Sequence, residues 1–101
     1  MAQIRWTEEA SDRLRQIHDY IFEDDPNAAY SVVHGIYEKI QILSDFPKIG
    51  HLYRMDGEKE IRTLLYGHYR IAYLILDENI IEILGVAHGS MPINHWLKRN
   101  K

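Results

Sequence analysis

The chain has 101 residues, of which 46% are apolar and 27% charged, a size and composition that predict one globular domain with one core. It contains no cysteine, which excludes disulfides, thiol nucleophiles and cysteine-ligated metal sites. The net charge is −3, and residues 1–46 contain four Lys or Arg and nine Asp or Glu. Residues 47–101 contain eight Lys or Arg and six Asp or Glu. This basic surplus is too small for a protein that binds nucleic acid mainly through its phosphates.

The N-terminal residues do not resemble a signal peptide, because acidic residues precede any apolar run of useful length. No window of the sequence approaches the ~20 apolar residues that a membrane-spanning helix needs. We therefore expect a cytoplasmic protein that has no membrane partner.

The first half of the chain predicts a short strand followed by a helical hairpin. Residues 3–6 (QIRW) are a strand candidate, and Thr7 is placed to cap a helix whose apolar positions recur at helical spacing to about residue 22. Asp25-Pro26 begins a second helix, with Asp as the N-cap and Pro at the first helical position. We expect this helix to run to about residue 45, because Phe46-Pro47 ends it.

The second half predicts an antiparallel meander. Residues 48–60 are polar and interrupted by glycine, which is typical of a long surface connection. Three strand candidates follow at about 60–66, 69–76 and 80–88, and the tail PINHWLKRNK either adds a helical turn or docks loosely. The sequence therefore predicts one α+β domain over residues 1–101, in which a short N-terminal strand and a two-helix hairpin pack on a three- to four-stranded antiparallel sheet.

Strand register decides which side chains share a face of this sheet. If Asp77–Asn79 is a three-residue loop, one apolar face packs on the helices. That face carries Tyr69, Ile71, Tyr73, Ile75, Ile81 and Ile83. The opposite face then carries a polar group, namely His68 opposite His88, with Arg70 and Glu82 beside them. Arg62 joins this group if the preceding connection also has three residues. A slip of one residue would scatter this group.

Five segments, in this order, resemble the RelE/ParE superfamily of toxins from type II toxin–antitoxin modules. They are Trp6-Thr7 with the helical face that follows, DPNAA at 25–29, FPKIG at 46–50, EIRTLLYGHYRIAYLI at 60–75 and IEILGVAHGS at 81–90. The resemblance covers nearly the whole chain and implies the same α+β fold. It also implies a partner, because these toxins are neutralised by a cognate antitoxin whose C-terminal segment wraps the toxin, and oligomers can form through that antitoxin.

RelE-like members of the superfamily cut messenger RNA in the ribosomal A site. This reaction needs a general base, a cation that holds the developing charge and an acid for the leaving oxygen. By resemblance, Arg70 matches a phosphate-holding arginine, and His88 or His95 is a candidate for proton transfer. The lysines expected on the preceding strand fall near Ile61 and Thr63 and are absent. The catalytic set is incomplete, so we name these three residues only as candidates.

ParE-like members resemble this chain more closely, through the segments N-P-x-A-A, F-P-x-x-G and Y-R-I-x-Y. They are described as poisons of DNA gyrase that need no catalytic residues, and the weak charge suits a protein partner better than naked nucleic acid. We therefore expect a ParE-like toxin that binds gyrase, with ribosomal mRNA cleavage as the alternative. Met91 stands where the superfamily often has arginine, so an inactive relative that only binds its antitoxin is a third reading.

Candidates for contacting the target are Arg62, His68, Arg70, His88, His51 and Arg54. Each has an ordinary structural alternative. Arg70 could pair with Glu82 across strands, the two sheet histidines could form a surface pair, and the two residues of the long connection could simply be solvated. We expect no metal and no cofactor, because no third ligand stands at a recognisable spacing from the histidines.

Overall fold

The computed structural model describes residues 1–97 and contains a five-stranded sheet with a helical hairpin on one face. The strands are β1 (Gln3–Trp6), β2 (His51–Asp56), β3 (Lys59–Tyr66), β4 (Tyr69–Asp77) and β5 (Ile80–His88). The helices are α1 (Glu8–Phe22), α2 (Pro26–Gln41), which continues into a 3-10 turn at Ile42–Ser44, and α3 (Ile93–Trp96). The strand order is β1-β5-β4-β3-β2, with β1 parallel to β5 and the other pairs antiparallel. Of the helices described, none is both long and apolar enough to cross a membrane.

The α+β architecture is the predicted one, but the sheet has five strands instead of three to four. The additional strand is β2, which forms within the stretch that the sequence predicted as a surface connection. β2 lies at the edge of the sheet, and its pairing with β3 shifts at Tyr53. Because every residue of this edge strand keeps some exposure, its sequence lacks the regular apolar alternation that identifies a strand.

The predicted helix starts are confirmed by their caps. The Thr7 hydroxyl accepts a hydrogen bond from the Ala10 N–H at 3.1 Å and donates one to the Ile83 carbonyl at 2.8 Å, which ties α1 to β5. The Asp25 carboxylate accepts from the N–H groups of Asn27 and Ala28 at 3.1 Å each. Both helices pack on one face of the sheet, which we call the helix face, and their buried residues form one core with Ile71, Tyr73, Ile81, Ile83 and Val86.

The opposite face of the sheet, here called the far face, is not the polar surface that the sequence predicted. Ile61, Ala72, Leu74, Leu84 and Ala87 form a second core there with three residues of the tail, Ile93, Trp96 and Leu97. The ring of Trp96 lies so close to Gly85 that a Cβ at position 85 would be 2.7 Å from it. The predicted helical turn is α3, which covers this face, and the rest of the predicted tail, residues 98–101, lies outside the described residues.

The turn between β3 and β4 corrects the predicted position of Arg62. The turn has two residues, Gly67-His68, with Gly67 at φ +58°, so that Tyr66 pairs with Tyr69 and Arg62 with Tyr73. The three-residue loop predicted from the sequence would have placed Arg62 on the far face. Opposed residues in antiparallel strands point to the same face, so Arg62 lies on the helix face with Tyr73.

A β-bulge in β5 corrects the predicted position of His88. The pairing of Tyr73 with Ile83 is as predicted, but the next pair joins Ala72 to Gly85, which leaves Leu84 as an additional residue in β5. Beyond the bulge, Tyr69 pairs with His88 and Arg70 with Ala87. His88 therefore lies on the helix face and Arg70 on the far face. The prediction that these residues share one face is wrong, because an inserted residue reverses the alternation of a strand.

Tyr73 holds the FPKIG segment against the sheet. Its hydroxyl donates to the Pro47 carbonyl at 2.7 Å and accepts from the Gly50 N–H at 3.0 Å. A Cβ at position 50 would lie 2.5 Å from the Thr63 carbonyl oxygen, so the approach needs glycine. Burial raises the pKa of the Tyr73 phenol, so its proton stays available for the bond to Pro47 at neutral pH.

Arg62 holds the same segment from the other side. Its Nη1 donates to the Gly50 carbonyl at 2.6 Å and to the Lys48 carbonyl at 3.1 Å, and its Nε donates to the Glu60 carboxylate at 2.7 Å. The Arg62 side chain is only 16% exposed. Its hydrogen bond lowers the pKa of Glu60, to which Lys48 adds a weaker contact at 3.5 Å.

We expect Tyr73→Phe to lower the free energy of unfolding by about 1–3 kcal/mol, because it leaves the buried Gly50 N–H without its acceptor and the Pro47 carbonyl without its donor. Urea unfolding of the two proteins measures the difference. Tyr30→Phe is the matched control, since Tyr30 is 66% exposed and should unfold like the parent. An equal decrease in the free energy of unfolding in both variants would show that the Tyr73 hydroxyl does not stabilise the fold.

We expect Arg62→Gln to raise the pKa of Glu60 toward its ordinary value, because the main cause of the lowered pKa is removed. A carboxylate whose folded-state pKa is lowered stabilises the fold above its unfolded-state pKa, and this stabilisation is lost as the pH falls. The variant should therefore lose less stability on acidification than the parent. NMR titration of Glu60 gives the pKa, and Lys48→Gln should move it less; a larger shift in Lys48→Gln would contradict the geometry.

Candidate functional site

A cluster of aromatic and polar side chains forms at the end of the β4–β5 pair. The rings of His68 and His88 stack with their centroids 5.9 Å apart and an interplanar angle of 11°. Tyr69 meets His88 edge-on, at 5.8 Å between centroids. The Gly89 N–H donates to the His68 carbonyl at 2.6 Å, which fixes the chain after β5 to the β3–β4 turn. The two predicted target-binding histidines are thus brought together, although His88 pairs with Tyr69 and not with His68.

Ser90 fixes the hydrogen-bonding character of His88. The Ser90 N–H donates to His88 Nδ1 at 3.1 Å, and the Ser90 hydroxyl lies 2.8 Å from the same nitrogen. A backbone N–H can only donate, so Nδ1 acts as the acceptor and the neutral ring carries its proton on Nε2. The H-G-S segment therefore presents His88 as an exposed hydrogen-bond donor through Nε2.

Arg70 lies apart from this cluster. On the far face it stands opposite Leu65 of β3 and Ala87 of β5, whereas Glu82 stands opposite Leu74. The predicted pairing of Arg70 with Glu82 therefore does not occur as a cross-strand pair. Arg70 lines a cavity of about 550 Å³ at the β2–β3 side of the sheet. His88 and His95 do not line this cavity.

His51 and Arg54 lie in β2 and not in a loop. They pair with Thr63 and Ile61, which places both on the far face, the face that also carries Arg70. His51 lines the same cavity as Arg70, and Arg54 lies 5.7 Å from the centroid of the Tyr53 ring. The structure thus brings His51, Arg54 and Arg70 to one face, and places Arg62, as described above, within the fold.

Two of the three candidate catalytic residues lie on opposite faces of the sheet, Arg70 on the far face and His88 on the helix face. His95 is exposed on α3, the helix that covers the far face. Within residues 1–97, no group of three His, Cys, Asp or Glu side chains could hold a metal ion.

A further cation, which the sequence analysis did not single out, lies near His88. Arg13 of α1 lines a cavity of about 250 Å³ together with Tyr20, Tyr69 and His88. Arg13 forms no hydrogen bond or ion pair with any residue in the described range 1–97. Helical periodicity places Arg13 on a polar stripe of α1, and only the packing of α1 beside β5 brings it close to His88.

Comparison with known proteins identifies the family. Residues 4–93 match the family described as "ParE toxin of type II toxin-antitoxin system, parDE". A relative from Sinorhizobium fredii (strain NBRC 101917 / NGR234), named "Putative toxin Y4kP", is 38% identical over 87 residues, which cover 86% of this chain and 88% of that protein. The solved structure "Chromosomal ParDE TA system from P. aeruginosa" has the same fold, with a TM-score of 0.71 and 22% identity over 87% of this chain and 96% of that one. The chain therefore belongs to the ParE family of toxins from type II toxin–antitoxin systems.

Proposed function

We propose that this ParE-family toxin arrests growth in the cytoplasm by binding DNA gyrase, and that a cognate antitoxin neutralises it. The observation that carries the proposal is the separation of Arg70 from His88 on opposite faces of the sheet. Cleavage of RNA requires a cation and a proton-transfer group to meet at one phosphate. Two side chains on opposite faces of a sheet cannot meet at one phosphate unless the sheet rearranges, so this pair favours a binding function over ribonuclease chemistry.

The far face is the surface that we propose for contact with gyrase. It carries the cations Arg54 and Arg70 with His51, beside the covering helix α3. The half of the chain that contains these residues has eight Lys or Arg against six Asp or Glu, a mild surplus that suits a protein surface. Arg62 is not part of this proposal, because its side chain is only 16% exposed and makes three hydrogen bonds within the fold.

The helical hairpin supports an antitoxin as partner. Tyr20, Phe22, Tyr30 and Tyr37 are large side chains of α1 and α2 that are exposed in the free chain. An open groove between the two helices is lined by Trp6, Leu14, His18, Val33 and Tyr37. Exposed apolar surface of this kind marks a protein interaction site. The solved structure that shares this fold is that of a ParDE toxin–antitoxin system, which supports such a partner.

Induction of the chain in bacteria without an antitoxin tests the target. We expect thymidine incorporation to fall before methionine incorporation, because a gyrase poison stops DNA synthesis first. An early fall in protein synthesis with continuing DNA synthesis would overturn the proposal in favour of mRNA cleavage. No effect on either DNA or protein synthesis would show that the chain is an inactive relative. In that case Met91→Arg would test whether the missing arginine accounts for the loss of toxicity.

The double variant His88→Gln/His95→Gln separates the two mechanisms further. We expect it to arrest growth like the parent, because the proposed target surface does not use these imidazoles for proton transfer. Arg70→Gln is the comparison, since it removes a cation from the far face and should weaken the arrest under either mechanism. Loss of arrest in a folded double-histidine variant would favour the ribonuclease.

A further inference from the structure

The connection between α2 and β2 exposes large apolar side chains although its backbone is held in place. Phe46 is 61% exposed and Ile49 56%. The hydrogen bonds of Tyr73 and Arg62 fix the backbone at residues 47–50. Because this backbone is already ordered, a partner that covers Phe46 and Ile49 loses little affinity to loop ordering. Apolar surface that is exposed and held in this way is typical of a protein interface.

On one side of Ile49 lies a cavity of about 540 Å³, here called the acidic cavity. It is formed by residues 45–49 and the β4–β5 turn, and Asp45, Asp77 and Glu78 are among its lining residues. Lys48 also lines it, but contacts Glu60 at 3.5 Å. The carboxylates of Asp45 and Glu78 form no hydrogen bond or ion pair with any side chain or backbone group of residues 1–97.

On the other side of Ile49 lies the cavity of about 550 Å³ that Arg70 lines, here called the basic cavity. It extends around the end of β2, since the last pair of β2 with β3 joins His51 to Thr63 and leaves residues 64–66 of β3 without a β2 partner. At this notch in the sheet, Lys39 of α2 lines the same cavity as Arg70. Within the described range 1–97, no Asp or Glu lines the cavity, and neither cation forms an ion pair.

Gly35 accounts for the position of Lys39. A Cβ at position 35 would overlap the Tyr66 hydroxyl, so glycine lets α2 come close to the end of β3. Lys39 follows four residues later and therefore lies on the same side of the helix. The close approach of α2 thus brings a lysine from the helix face to a cavity that an arginine lines from the far face.

We propose that two copies of this chain pair through this surface, with the acidic cavity of each copy against the basic cavity of the other. Ile49 lines both cavities, so they adjoin, and a twofold axis near Ile49 sets each cavity against its opposite. Lys39 and Arg70 then face the carboxylates of Asp45 and Glu78 in the second copy. The exposed apolar side chains Phe46 and Ile49 are covered in the same interface.

A second copy fits this surface because the two charges stand side by side. Any single partner has to present a cationic patch and an anionic patch in the reverse order, and twofold symmetry supplies that order without a further requirement. Nucleic acid carries negative charge along its whole backbone and would be repelled by the acidic cavity.

Pairing covers the cavity that Arg70 lines, so a paired chain cannot offer this cation to another protein. Under the proposed function, the unpaired chain is then the form that contacts gyrase. The pairing itself does not rest on that function, and its test measures mass instead of growth.

Sedimentation equilibrium of the full-length chain tests the pairing. We expect a mass approaching twice the 12.0 kDa of one chain at about 100 μM. Lys39→Glu and Glu78→Lys should each weaken pairing more than ~10-fold, because each sets like charges against each other. Lys59→Glu is the matched control, since Lys59 is exposed, lines neither cavity and should leave the pairing unchanged.

Restoring the charges tests the orientation of the two copies. We expect the double variant Lys39→Glu/Glu78→Lys to pair again, and an equimolar mixture of the two single variants to pair although neither does so alone. Urea unfolding of each variant should match the parent, because neither side chain has a partner within residues 1–97.

Three results would overturn the proposal. The parent could keep the mass of one chain up to about 1 mM, a concentration at which even weak pairing is measurable. The single reversals could leave pairing intact, which would place the contact elsewhere. Finally, the folded double variant and the mixture could both fail to pair, which would show that the two cavities do not face each other.

Discussion

Side chains of a strand alternate between the two faces of a sheet, and the extra residue Leu84 resets that alternation halfway along β5. Before the bulge, Ile81 and Ile83 face the helices; after it, Val86 and His88 do so. The same insertion places Leu84 in the far-face core with Ala87. Both cores and the position of His88 therefore depend on this one residue.

Residues 46–50 are bound into the fold through groups of two strands. Tyr73 of β4 bonds the carbonyl of Pro47 and the N–H of Gly50, and Arg62 of β3 bonds the carbonyls of Lys48 and Gly50. These contacts join the end of the helical hairpin to the start of β2. Arg62, which the predicted register had suggested as a target contact, thus holds this connection in place.

Local signals in the sequence predicted most of the elements, and non-local pairing accounts for the corrections. The caps Thr7 and Asp25 and the helical apolar spacing located α1 and α2, because these features act within one or two turns of chain. β2 was missed because an edge strand that stays partly exposed along its length needs no apolar alternation. The faces of Arg62 and His88 were predicted wrongly, because each depends on a register change of one residue. A two-residue turn changes the register at Arg62 and a β-bulge changes it at His88, and the amino-acid composition of the strands does not reveal either feature.

Gly85 is in contact with Trp96, the residue that anchors α3 over the far face. A methyl group at this position would meet the indole ring at 2.7 Å, so any larger residue requires the ring, and with it the single turn of α3, to move away. The covering of the far face by α3 in this chain therefore depends on glycine at position 85, eleven positions before Trp96.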